Sequence, residues 1–160
     1  MLAEVTETAY EVGPGASSLE VAPGRDPREG PLAALALGAR ALAAAGFAGP
    51  ALVLATDLPR LTPALLGTIA AWPSPPGCSV APVVAGRPQF LCARWSPAAL
   101  AAAVELASAG ERRVQAAFSV GEAHLVGPDE LPSFDLEVEL GDADDEAALR
   151  RLGFGALFRT

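Results

Sequence analysis

The chain has 160 residues, 51% of them apolar, and carries a net charge of −8. That length is one domain's worth and can bury roughly 70% of its unfolded surface, and the apolar share excludes a disordered chain. The acidic balance argues against non-specific nucleic-acid binding and against an anionic membrane surface, but not against nucleotides, which bind through local features.

In chain order, Glu7 to Val12 reads as a strand ending at Gly13-Pro14-Gly15, and Leu19 to Ala22 as a second ending at Pro23-Gly24. Arg25 to Gly30 is a polar loop. Pro31 to Ala45 predicts a helix, with proline at its start, leucines at 32, 35 and 42, and Gly46 as the stop. Ala51 to Ala55 is a short, continuously apolar run, the mark of a buried strand. Pro63 to Trp72 predicts a helix, ended by the breaker at residues 73–77.

Ser79 to Val84 and Phe90 to Trp95 read as strands around a turn over residues 85–88. Pro97 to Ser108 is an alanine-rich helix with Ser96 as its N-cap. Arg112 to Phe118 is a short helix and Ala123 to Val126 a strand. Phe134 to Leu140 alternates apolar with acidic residues and predicts a half-exposed strand. Glu146 to Leu152 is the last helix. Strands alternating with helices indicate a three-layer α/β sheet, mostly parallel, in a single domain over residues 1–160.

Pro31 to Ala55 is long enough to suggest a membrane span, but Arg40, Gly46, Gly49 and Pro50 interrupt it. Glu4 and Glu7 at the start, with no basic segment, do not make a signal peptide. Cys78 and Cys92 have no metal-ligand spacing and are too sparse for a disulfide scaffold. They read as buried thiols in a reducing cytoplasm, which is the expected location.

The run from Val53 to Pro63 is the most informative stretch. Asp57 is expected at the carboxyl end of a strand, the edge where open α/β sheets bind ligands. Thr62 followed by Pro63 reads as an N-cap with proline in the first helical turn. A carboxylate placed this way can hold a divalent cation against a nucleotide's phosphates; alternatively it only caps its turn.

Other constellations carry the same two-sided reading. Asp26 precedes Gly30, Pro31 and Leu32, where a helix start suits a base or phosphate, or is an ordinary capped loop. Arg87, in Gly86-Arg87-Pro88-Gln89, offers a planar fork to a phosphate, or is a solvated hairpin tip. Arg112 or Arg113 can meet an anionic substrate or simply pair with Glu111. Asp142, Asp144, Asp145 and Glu146 can ligate a cation, or favour the start of the following helix. His124, the only histidine, reads as packing, and Trp72, Trp95 and the phenylalanines as core or interface.

Taken in order, these pieces resemble the molybdenum cofactor guanylyltransferase family. The resemblance rests on residues 25–33, on Ala55 to Leu61, on Gly86 to Ala93, on Ala109 to Val114 and on Asp142 to Leu149, and it covers about residues 25 to 152. It implies a Rossmann-like nucleotidyltransferase fold and transfer of GMP from GTP to molybdopterin with Mg2+. It makes Asp57 the catalytic metal ligand and sets Asp26, Gly30, Pro31 and Leu32 towards the nucleotide. Arg87, Pro88, Gln89, Arg112, Asp142 and Asp144 then face the second substrate.

Family members begin with a strand and a glycine-rich loop bearing arginine and lysine. Here the chain starts about where the family's second strand stands. Gly13-Pro14-Gly15 lacks a basic residue, and all eleven basic residues of the chain are arginine. The sheet is therefore expected to lack the family's first strand, and to be completed by a second copy of the chain or by an N-terminal segment. A catalytically inactive relative that binds a nucleotide, or serves as a partner subunit, stands as the alternative function.

Overall fold

The computed structural model describes residues 6, 8–13, 15, 17–24, 29–75 and 77–141. The elements, in chain order, are β1 (Tyr10–Glu11), β2 (Glu20–Val21), α1 (Pro31–Ala44), β3 (Ala51–Leu54), α2 (Pro63–Ala70), β4 (Cys78–Val84), β5 (Arg87–Pro88), β6 (Cys92–Trp95), α3 (Pro97–Ser108), α4 (Val114–Phe118), β7 (Glu122–Val126) and α5 (Leu136–Glu139). The helix expected over Glu146–Leu152 lies outside the described residues, as do Asp26, Asp142 and Asp144.

The main sheet runs β3-β6-β4, with β5 and β7 both paired to β4. β4 and β7 are parallel, while β6 lies antiparallel between β3 and β4. Strands β3, β4 and β7 thus share one direction while β6 and the two-residue β5 oppose them, in a Rossmann-like sheet whose longer β4 and β7 run parallel. β1 and β2 form a separate parallel pair. No helix among the described residues is long and apolar enough to cross a membrane.

The two-residue period of the strands divides the core. On one face Val53, Ala81, Ala93 and Trp95 meet α1, α3 and α4. On the other, Leu52, Leu54, Val80 and Cys92 meet α2, Leu131 and α5. This is the three-layer arrangement that the alternation of elements predicts. Trp95 anchors the first layer: its ring meets Phe118 edge-on at 5.1 Å and its indole N–H donates to the Phe90 carbonyl at 2.9 Å.

Helix starts follow the chain's capping chemistry. The Thr62 hydroxyl accepts from the Leu65 N–H at 3.2 Å, and the Ser96 hydroxyl from the Ala99 N–H at 3.1 Å. Both caps precede a proline whose missing N–H is no loss in a first turn.

Phe134 to Leu140 is not a strand. Leu136–Glu139 is a single helical turn, capped by Asp135, whose carboxylate accepts from the Val138 N–H at 3.1 Å. Leu136 and Leu140, four apart, are buried, while Val138 is exposed. The apolar alternation contains that helical pair, and the cap decides between the two periods. Phe90 and Leu91 form a turn, so β6 begins at Cys92.

Candidate functional site

Topology gathers the candidate residues at one edge. β3 and β4 run the same way, so Asp57 after β3 and the β4–β5 turn after β4 lie at the same side. β6 opposes β3, which brings the approach to β6, Gln89–Leu91, to that edge too; the Ala55 N–H donates to the Leu91 carbonyl at 2.7 Å. α1 begins there, and α3 ends there. Leu32 of α1, Phe90 and Leu91, Leu106 and Ala107 of α3, and Val114 of α4 all belong to one apolar cluster. The segments that bear Gly30, Pro31, Leu32, Asp57, Arg87, Pro88, Gln89 and Arg112 thus reach the carboxyl edge of the sheet, but of these residues only Pro31 and Asp57 line the cleft there, and the Leu32 side chain is fully buried.

Asp57 is exposed and lies on the mouth of a cleft of about 980 Å³. No hydrogen bond or ion pair engages its carboxylate among the described residues, so it does not cap its own turn. The turn closes instead through the Leu61 N–H and the Leu58 carbonyl at 3.3 Å. Thr56, Leu58, Leu91 and Pro31 line the cleft beside it. Thr56 was not singled out in the sequence, although it adjoins Asp57 in the same motif.

Gly30 is the N-cap of α1 with φ 102°, and no side chain among the described residues caps the helix. A Cβ added at Gly30 would meet nothing within 4 Å among the described residues. The first turn carries no acidic residue. Uncapped N–H groups and the positive end of the helix dipole make it receptive to an anion.

Arg87 sits at the tip of the β4–β5 hairpin, exposed, with its carbonyl accepting from the Gln89 side-chain amide at 3.1 Å. Pro88 pairs with Val83. In the Glu111-Arg112-Arg113 stretch it is Arg113 that pairs with Glu111, at 2.7 Å. The Arg113 side chain, then its N–H and that of Arg112, pull the Glu111 carboxyl down to about 2. The guanidinium of Arg112 makes no such pair among the described residues.

His124 is exposed rather than packed into the core. Its Nε2 lies 3.2 Å from Glu130 Oε1, and its ring rests 5.9 Å from that of Trp72. Cys78 and Cys92 are buried free thiols, as expected. No group of three or more histidine, cysteine or carboxylate side chains is placed to hold a metal among the described residues.

Residues 5–124 match the MobA-like NTP transferase domain. The chain belongs to this family. The matched span holds Asp57, the start of α1, the β4–β5 hairpin and Arg112. Among solved structures, the chain resembles molybdopterin-guanine dinucleotide biosynthesis protein A from Archaeoglobus fulgidus, at 17% identity and a TM-score of 0.64, over 89% of this chain and 71% of that one. At that identity the likeness is one of fold, and it agrees with the Rossmann-like nucleotidyltransferase architecture. No curated protein matches significantly.

Proposed function

We propose that this MobA-like chain transfers a nucleoside monophosphate from a nucleoside triphosphate to a phosphorylated acceptor, with GMP from GTP passing to molybdopterin. The observation that carries this is Asp57: an exposed carboxylate, unengaged among the described residues, after the carboxyl end of β3, lining a large cleft, inside the family match. The name of the structural relative, a molybdopterin-guanine dinucleotide biosynthesis protein, supports the choice of base and acceptor.

In this reaction a terminal phosphate oxygen of the acceptor attacks the α-phosphorus of GTP. A new P–O–P bond forms, the α–β bridge breaks, and pyrophosphate leaves with the bonding pair. Little covalent work falls to the protein, so positioning and charge neutralisation dominate. A free carboxylate fits Mg2+, which keeps several waters and takes one or two protein carboxylates plus phosphate oxygens. Asp57 would hold it, and the bound ion would neutralise charge on the phosphates. The start of α1 at Gly30 and Pro31, with the backbone of the buried Leu32, receives the nucleotide. Arg87 and Arg112 offset negative charge on the acceptor, with Pro88 and Gln89 shaping the hairpin that presents Arg87. Asp26, Asp142 and Asp144 are assigned to the same two substrates.

A second reading is a binding relative without turnover. The absence of lysine from this sequence favours it, because the phosphate loop of the family it resembles carries one. Calorimetric titration with GTP and Mg2+, coupled to a pyrophosphate assay with molybdopterin, separates the two. Binding with pyrophosphate release supports the transferase, and binding alone supports the relative. Absence of binding rejects both. Asp57→Ala abolishes metal-dependent binding; unchanged affinity removes Asp57 from the site.

A further inference from the structure

Val80 pairs with Arg94 of β6 and with His124 of β7, so β6 and β7 lie on opposite edges of β4. β7 therefore ends the main sheet on the side away from β3 and Asp57. Its pairing fixes which of its backbone groups are spent. The Pro82 carbonyl accepts from the Gln89 N–H at 2.8 Å, so Val80 and Pro82 turn their backbone groups towards β5 and β6, and Ser79 and Ala81 turn theirs to β7. In the parallel register that sets Val80 against His124, Ser79 and Ala81 bond to Glu122, His124 and Val126. Ala123 and Leu125 turn their N–H and C=O groups outward, and no backbone among the described residues pairs with them.

Side chains alternate with the pleat. Val126 enters the core with Val80, and on its face stand Glu122 and His124, the His124 ring 5.9 Å from that of Trp72. Ala123 and Leu125 point to the other face. α3 stands near the start of the strand, where a Cβ on Gly121 would meet that of Ala98 at 3.9 Å. Ala123 and Leu125, further along, are exposed, and Leu125 at 48% is the most exposed large apolar side chain of the described residues. A sheet edge is ordinarily protected by a proline, a bulge or a lysine. Glu122–Val126 holds no proline or lysine, and its register to β4 runs unbroken.

Charge decides between occupants. Residues 114–141 contain Glu122, Asp129, Glu130, Asp135, Glu137 and Glu139, and no lysine or arginine. Glu122 stands at the start of β7. Glu130 stands at its end, accepting from the Gly127 N–H at 3.1 Å and lying 3.2 Å from His124 Nε2. A second copy is a poor occupant. Antiparallel pairing through this edge would bring Glu122 of each copy towards Glu130 of the other, and parallel pairing would set Glu122 beside Glu122. Like charges across a strand pair destabilise it. A strand with basic side chains on the Glu122 face and apolar ones on the Leu125 face meets both demands.

We infer that the β7 edge binds a short extended segment of another protein in which lysine or arginine alternates with valine, isoleucine or leucine. Its backbone pairs with Ala123 and Leu125. Its apolar side chains cover those two residues, and its basic ones lie along Glu122 and Glu130. This is β-augmentation in which main-chain bonds give affinity and charge selects the partner. β4 and β6 separate this edge from β3, so the inference stands apart from the transferase reading.

The test is residue-resolved amide exchange on the labelled chain, with and without a capped heptapeptide that alternates lysine with valine. The Ala123 and Leu125 amides slow by about tenfold or more at saturating peptide. Those of His124 and Val126, already bonded to β4, do not change. The matching peptide with glutamate for lysine has no effect at the same concentration. Glu122→Lys, a change at an exposed site, weakens the lysine peptide by about fivefold. Absence of slowing at Ala123 and Leu125 overturns the inference, as does equal slowing by the glutamate peptide or an unchanged affinity in Glu122→Lys. Protection of the two amides before any peptide is added also overturns it: if it rises with protein concentration, a second copy pairs there, and if it does not, the chain covers its own edge.

Discussion

The hydroxyl of Thr62 donates to a carboxylate oxygen of Glu139, 77 positions away, at 2.5 Å, and accepts from the Leu65 N–H in the same stroke. One side chain therefore caps α2 and ties it to α5 on the same face of the sheet. Thr62→Ala removes both bonds and leaves the half-buried Glu139 without its donor. The expected cost is about 1–2 kcal/mol, read as a lower urea midpoint at constant slope. Thr62→Ser keeps the oxygen and recovers most of it.

Cys92 lies under the same contact. It is 1% exposed, and burial first, then the negative charge of Glu139, push its thiol up from 9.0 to about 12. The folded value exceeds the unfolded one, so the folded state holds this proton more tightly. The contribution is complete below pH 9 and is lost as pH rises from about 9 to about 12. Within that window stability falls with a slope approaching 1.4 kcal/mol per pH unit. Cys92→Ala, compared by urea denaturation across the same pH range, shows a shallower decline by that amount.

What the sequence made legible, and what it did not, has a physical basis. Val53 to Pro63 was readable because each residue there has one strong local preference: an apolar run for a strand, threonine before proline for a cap. The start of α1 was readable for the same reason, through Pro31. Leu136 and Leu140 were not, since spacings of two and of four coincide there and only the Asp135 cap separates them. The reversal of β6 was legible, since Ser79 to Val84 and Phe90 to Trp95 read as strands around a short turn, whereas β5 between them is just two residues long and left no pattern of its own.

Arg94 is the most committed cation of the described residues. It is 8% exposed and donates to the carbonyls of Ala70 at 2.9 Å and Trp72 at 3.1 Å, and to the Ser74 hydroxyl. α2 has no basic residue in its own last turn, so this side chain from the sheet satisfies its terminal carbonyls. Arg94→Met strands those carbonyls and costs about 2–4 kcal/mol. Arg94→Lys restores under half of that, because one ammonium cannot span three acceptors set for a planar fork. Thermal denaturation of the two variants gives the order.

The two neighbouring arginines are expected to part company in function. Glu111 occupies Arg113 through the 2.7 Å pair and also accepts from both backbone amides, at 2.8 and 2.9 Å. The carboxylate thus neutralises Arg113 and orients the α3–α4 corner, leaving the Arg112 guanidinium for an anion. Arg112→Ala weakens binding of a phosphorylated acceptor by about tenfold, the loss of one charge-assisted hydrogen bond worth about 1.5 kcal/mol. Arg113→Ala changes it by less than about threefold, since an exposed pair is worth little. Equal losses in the two variants, measured by titration of each with the acceptor, would show that Glu111 does not divide their roles.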